Sequence, residues 1–300
     1  MNDQAEKLRQ LAKSIFTSTN KLPPGRIIKN PVRKKSRVIT VTSGKGGVGK
    51  TNFTVNLALA LASYKQRVLV IDADLGMANV DVILGCSAPY NMMNLLEDDL
   101  NINDIIINGP RGIKFLSGGS GVHELANLNQ QDLERLLEKI SLFDEWADII
   151  LIDTGAGINR NVINFVMAAD EVIVITTPEP TAITDAYAMI KTFAGFKGTA
   201  PLKLVINRVI DPVEGQVVVE KLVSVTQRFL NLPISELGIV YEDPLVTKAV
   251  KRQIPLMILF PDAISSKCID HIAYEVAYGE KLIPARGMKG FFLKFLNIMR

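Results

Sequence analysis

Eight residues, Gly44 to Thr51, read GKGGVGKT between a run of β-branched residues and a helix-like segment. Gly44, Gly46, Gly47 and Gly49 let the backbone curl so that successive N–H groups converge, and convergent donors are what a polyphosphate needs. A helix opening near Lys50 adds the positive end of its dipole. Lys50 supplies a point charge for the terminal phosphates, and Thr51 offers its hydroxyl to Mg²⁺, which reduces the phosphate charge. With Val48 and Asn52, these residues make a nucleotide-binding stretch, and a nucleoside triphosphate with Mg²⁺ is the expected ligand pair.

Carboxylates occur where such a ligand could use them. Asp72-Ala73-Asp74 closes one apolar run and Asp153-Thr154-Gly155 closes another, so three carboxylates are expected to face the metal from strand ends. His123 and His271 lie far apart without metal-ligand spacing, and Cys86 and Cys268 have no CxxC partner. Neither a disulfide framework nor a local zinc site is expected, and a reducing cytoplasm is the natural compartment. Cys86 follows Ile83-Leu84-Gly85 and reads as a small core residue, and Trp146 reads as packing.

The elements that position these groups follow from periodicity. Short apolar runs at 38–43, 67–72, 113–117, 148–153, 171–176, 202–207 and 237–241 alternate with helical patterns at 50–63, 131–145, 160–168, 182–195, 216–229 and 262–278. Continuous Val/Ile runs between helices predict an α/β fold, with a mainly parallel central sheet of about seven or eight strands covered by helices on both faces. A length of 300 residues, 48% of them hydrophobic, suffices for a large core. No apolar stretch is long enough to span a bilayer, and the first residues lack the pattern of a signal peptide.

The ends differ from the middle. No carboxylate occurs between Glu6 and Asp72 or after Glu280, so a net charge of only +3 hides two basic ends. Residues 1–16 contain an amphipathic helix with Asp3 and Glu6 at capping-box spacing. Residues 17–37, with three prolines and seven Lys or Arg, read as a basic linker, and the main domain is expected over 38–284. Over 285–300, Met288, Phe291, Phe292, Phe295, Leu296 and Met299 form one stripe among basic residues, the pattern of a helix lying at a membrane interface.

Lys45 departs from a plain phosphate loop, and with it the motif resembles the deviant Walker family that includes MinD, ParA-type partition ATPases and the nitrogenase iron protein. The resemblance implies a homodimer with ATP at the interface, Lys45 reaching the partner's nucleotide, and hydrolysis to ADP and phosphate with Lys45, Lys50 and Asp74 as the catalytic groups. Asp74 then orients or deprotonates the attacking water. Asp72 supports the metal shell and Asp153 is the Walker B aspartate. Asn207-Arg208 matches where the family reads adenine, and Tyr241-Glu242-Asp243 the loop that closes over it.

Within that family, DADLGMANVD at 72–81 and the DQAxxLR pattern of Asp3, Gln4, Ala5, Leu8 and Arg9 resemble FlhG. FlhG proteins set flagellar number and position and stimulate the GTPase FlhF through their N-terminus, Gln4 occupying the position of the glutamine proposed to complete that GTPase site. The resemblance implies a cytoplasmic protein that sits peripherally on the inner face of the cell membrane as the ATP dimer. Flagellar switch proteins or a flagellar transcription regulator are the implied partners, and nucleic acid is not. A division-site or partition ATPase, and a regulatory binding module with a vestigial ATPase, remain the competing readings.

Overall fold

The computed structural model describes residues 35–74, 80–86, 88–97, 99–117, 128–280 and 283–299. The N-terminal helix with Asp3, Gln4, Ala5, Leu8 and Arg9, the linker up to residue 34, the middle of the 72–81 motif and His123 lie outside the described residues.

Eight strands form one sheet: β1 (Arg37–Ser43), β2 (Val68–Ala73), β3 (Ile107–Asn108), β4 (Lys114–Ser117), β5 (Ile149–Ala156), β6 (Glu171–Thr176), β7 (Leu202–Val209) and β8 (Ile234–Tyr241). Their order is β3-β4-β2-β5-β1-β6-β7-β8, and every pairing is parallel except β3 with β4. Every position of β1, β2 and β6 is buried, as expected for strands covered on both faces. Val38 and Ile39 are neighbours in the chain and enter cores on opposite sides of the sheet.

The longer helices are α1 (Lys50–Ser63), α2 (Gln130–Ser141), α3 (Arg160–Ala168), α4 (Pro180–Gly195), α5 (Pro212–Leu230), α6 (Pro244–Lys251), α7 (Ile264–Tyr278) and α8 (Gly287–Met299). α1 is buried continuously from Phe53 to Leu61 and packs against α7, so its apolar residues need no single stripe. The pattern at 131–145 resolves into α2 and a separate turn, Phe143–Trp146. α6 is not among the helical patterns of the sequence. Asp243 caps it through a bond from Leu245 N (2.9 Å) and Pro244 occupies its first turn, so a proline that ends a strand here begins a helix.

The C-terminal segment forms the helix its periodicity predicts, and in this structure that helix lies on the body. The described residues belong to one compact unit that includes α8. Met288, Phe291, Phe292, Phe295 and Leu296 are buried in the core shared with α2 and α3, while Met299 is partly buried. Phe165 of α3 sits 4.7 Å from Phe295 and stacks on Phe291 at 6.2 Å. Arg160 fixes the far end by donating to the Met299 carbonyl at 3.0 Å. No helix among the described residues is long and apolar enough to cross a membrane.

Candidate functional site

The phosphate loop joins the C-terminal end of β1 to α1 at the centre of the sheet. Gly49, at φ +91°, precedes α1, whose start has no side-chain cap, so its first N–H groups are left for a ligand. A Cβ on Gly49 would stand 2.5 Å from Asn207 Nδ2, and the Asn207 amide donates to Val48 O at 2.7 Å. At Gly44 the loop touches the backbone of Asp185 in α4, leaving no room for any side chain.

Three neighbours in α1 converge on Asp153, which is fully buried within β5, three residues before the strand ends. Lys50 Nζ lies 3.0 Å from its Oδ1, Thr51 Oγ1 donates to its Oδ2 at 2.7 Å, and Thr54 Oγ1 donates to its Oδ1 at 2.8 Å. A buried carboxylate is tolerable when paired and hydrogen-bonded in this way. The Thr51 hydroxyl thus stands beside a carboxylate in an oxygen environment suited to Mg²⁺, a metal that keeps several waters and takes few protein ligands.

Asp72 does something else. Its Oδ1 accepts from Asp74 N at 3.0 Å and its Oδ2 from Val80 N at 3.2 Å, so it fastens both ends of the loop between them. Among the described residues no group of three His, Cys, Asp or Glu side chains is placed to hold a metal ion by itself, so Asp72, Asp74 and Asp153 do not make an all-carboxylate cluster. Asp74 itself lines an open cleft of about 640 Å³ with Lys45, Lys50 and Thr51, and lies close to Gly155 near the end of β5.

Lys45 is at the mouth of that cleft. Its ammonium bonds to Glu179 Oε2 at 2.9 Å and to Thr181 Oγ1 at 2.8 Å, and its side chain remains 37% exposed. The bond from Lys45 holds the Glu179 carboxyl below the usual range. Glu179, Thr181 and Thr54 escaped the sequence reading because the contacts that give them meaning are long-range. Only Thr54, one helical turn after Lys50, carried a local hint.

A second cavity, about 350 Å³, adjoins the first through Gly49, Asn52 and Arg208, and Asn207, Arg208, Tyr241 and Glu242 all line it. Arg208 has a left-handed backbone, φ +59°, and its Nε is 3.9 Å from Glu242 Oε2. Asp243 braces the wall by also accepting from Ser265 Oγ at 3.0 Å. A glycine loop leading into an uncapped helix start, a hydroxyl beside a buried carboxylate, and a partly apolar cavity therefore lie in line at the C-terminal ends of parallel strands, an arrangement that fits phosphates, Mg²⁺ and a base.

This fold and this site define a MinD-like P-loop ATPase with the deviant Walker lysine. The AAA domain family matches residues 36–206. The chain is 38% identical over 260 residues to the antiactivator FleN of Pseudomonas aeruginosa, covering 87% of this chain and 93% of FleN. It is 33% identical to the flagellum site-determining protein YlxH of Helicobacter pylori over the full length of both. The septum site-determining protein MinD complexed with Mg-ADP from Pyrococcus horikoshii superposes with a TM-score of 0.62 at 26% identity, covering 81% of this chain and 96% of that one. The chain belongs to the FlhG family, with FleN and YlxH among its relatives, and is an ATPase.

Proposed function

We propose that this ATPase controls flagellar number and placement by pairing with a second copy of itself around ATP and Mg²⁺, and by using the dimer to reach a membrane and its flagellar partners. The observation that carries this reading is the position of Lys45: a cation held at the cleft mouth by Glu179 and Thr181, exposed enough to meet a facing protomer. Exposed apolar residues follow several strands on the same side of the sheet, among them Ile158 after β5 and Ile210 and Val213 after β7, and a facing copy would cover them.

In the working dimer, Lys50 and the α1 N–H groups would hold the phosphates, Thr51 and Asp153 would hold Mg²⁺, and Asp74 would receive or orient the water. Mg²⁺ supplies charge neutralisation at the phosphates. Lys45 adds a second positive charge from the partner, matched to charge that develops in the transition state. Asn207 and Arg208, with Tyr241 and Glu242, form the seat for adenine.

The C-terminal helix supplies the membrane contact in this proposal. Its six apolar side chains are worth at most about 1.5–3 kcal/mol each when fully buried, and at a bilayer surface they insert only in part. Docking on the body competes with that insertion, so one copy binds lipid marginally. Two copies on one dimer gain a factor on the order of 10²–10⁴ from avidity. Sedimentation with anionic liposomes is expected to pull down the intact chain with ATP, and little of it with ADP or without nucleotide. A chain ending at Ala285 should stay in solution. Binding indifferent to nucleotide defeats the switch, and binding that survives the truncation defeats the anchor.

Residues 3–9 are proposed to stimulate FlhF, with Gln4 placing an uncharged amide at the partner's GTPase site. Flagellar switch proteins or a flagellar transcription regulator complete the partner set. Gln4→Ala should abolish the added phosphate release when the two proteins are mixed, and a stimulated rate equal to the parent's would remove this role.

A further inference from the structure

Two carboxylates outside the nucleotide site each bridge the same pair of segments. Asp144, in the turn Phe143–Trp146, accepts from Met288 N through Oδ1 at 2.9 Å and through Oδ2 at 3.2 Å. The same Oδ1 accepts from Ser36 N at 3.3 Å. Asp170, buried just before β6, accepts through Oδ2 from Val38 N at 3.1 Å and from Arg286 N at 3.3 Å, and its Oδ1 is 3.8 Å from Arg286 Nε. Burial raises the Asp170 carboxyl, and the two backbone N–H groups and Arg286 oppose that rise by favouring its charged form. The start of β1 and the start of α8 therefore share both acceptors.

These bonds matter because α8 has weak reasons of its own to be a helix. It has 13 residues, a length at which an isolated helix is marginal in water. Two of those residues are glycines, Gly287 and Gly290. Asp144 satisfies an N–H of its first turn from outside, doing the work of a cap and complementing the dipole. Gly287 sits at φ +76°, and a Cβ there would collide with the Asp144 carboxylate. Farther along, Lys294 Nζ is buried with no hydrogen-bond partner among the described residues, and burial pulls its pKa down to about 8. Docking thus carries a desolvation penalty that offsets part of the aromatic burial.

We propose that Asp144 and Asp170 form a two-point latch that makes docking of the C-terminal helix conditional on the position of Ser36–Val38, so that displacement of the chain at the start of β1 loosens α8. The latch rests on the reading that α8 leaves the body, and it gives that departure a trigger separate from the nucleotide. Ser36 is suited to transmit a pull, because its side chain is fully buried and its hydroxyl donates to Ala147 O at 2.7 Å, beside the turn that carries Asp144. Whatever engages the residues preceding Ser36 is then registered at the first turn of α8.

Amide hydrogen exchange on the full chain without nucleotide or lipid tests this directly. In Asp144→Ala, exchange over 288–299 and at Ser36–Val38 is expected to quicken together, by about tenfold or more, while the amides of β6 keep parental rates. Gly287→Ala, which pushes on the same carboxylate from the α8 side, should give the same paired response, and it keeps the test decisive if Asp144→Ala disturbs the turn. Quickening over 288–299 with Ser36–Val38 unchanged in both variants overturns the coupling, and no change in either segment overturns the latch. Paired quickening with no gain in liposome sedimentation leaves the latch standing and counts against the membrane reading alone.

Discussion

Lys45→Ala is expected to abolish ATP-dependent pairing and to lower phosphate release by at least about a hundredfold, the scale on which one charge-stabilising donor acts in a transition state. The variant should still fold and bind one ATP per chain. Its contacts to Glu179 and Thr181 lie on an exposed rim, where an ion pair adds little to stability, and Lys50, Thr51 and Asp153 are untouched. Sedimentation velocity with Mg·ATP and a phosphate-release assay read the two effects. A Lys45→Ala protein that pairs and turns over like its parent would remove the dimer from the mechanism. Parental melting in the same sample shows that the fold is not the cause.

Lys50→Ala should fail in the opposite way, losing stability as well as nucleotide. Lys50 is 7% exposed and faces a carboxylate that is not exposed at all, so removing the cation strands a buried charge. Such a loss typically destabilises by 3–5 kcal/mol, and about 3 kcal/mol is expected here because the Thr51 and Thr54 hydroxyls remain bonded to Asp153. Urea denaturation without nucleotide measures it. Removing Asp153 as well should restore part of the loss, although the double variant will not bind ATP. If Lys50→Ala and the parent unfold at the same urea concentration, the buried pair is not what holds this loop in place.

The contrast between the two lysines marks how far the sequence could be read. The motif placed both at the phosphates, since glycine spacing and the strand-loop-helix context are local. Their burial was invisible: Glu179 lies 134 positions from Lys45 and Asp153 lies 102 from Thr51. The Val/Ile runs announced seven strands, whereas β3, with two residues, is too short to show a period. α6 was missed because Asp243-Pro244 signals either a turn or a capped helix start. Asp72 was assigned by analogy to the metal, and only tertiary structure reveals that its oxygens hold loop amides. The α8 stripe was legible as a stripe. Periodicity tells which face of a helix is apolar and says nothing of what covers it.

The contact between the phosphate loop and α4 bears on how tolerance to substitution is interpreted in this protein. Gly49 and Gly44 will both refuse replacement, and a saturation screen scored by growth would file them under one heading. The grounds differ. Gly49 is fixed by its left-handed backbone and by the Asn207 amide beside it, whereas Gly44 is fixed by the main chain at Asp185. An intolerant glycine in the loop is therefore not by itself a witness to nucleotide chemistry, and reshaping α4 around residue 185 is the only route by which position 44 could accept a side chain.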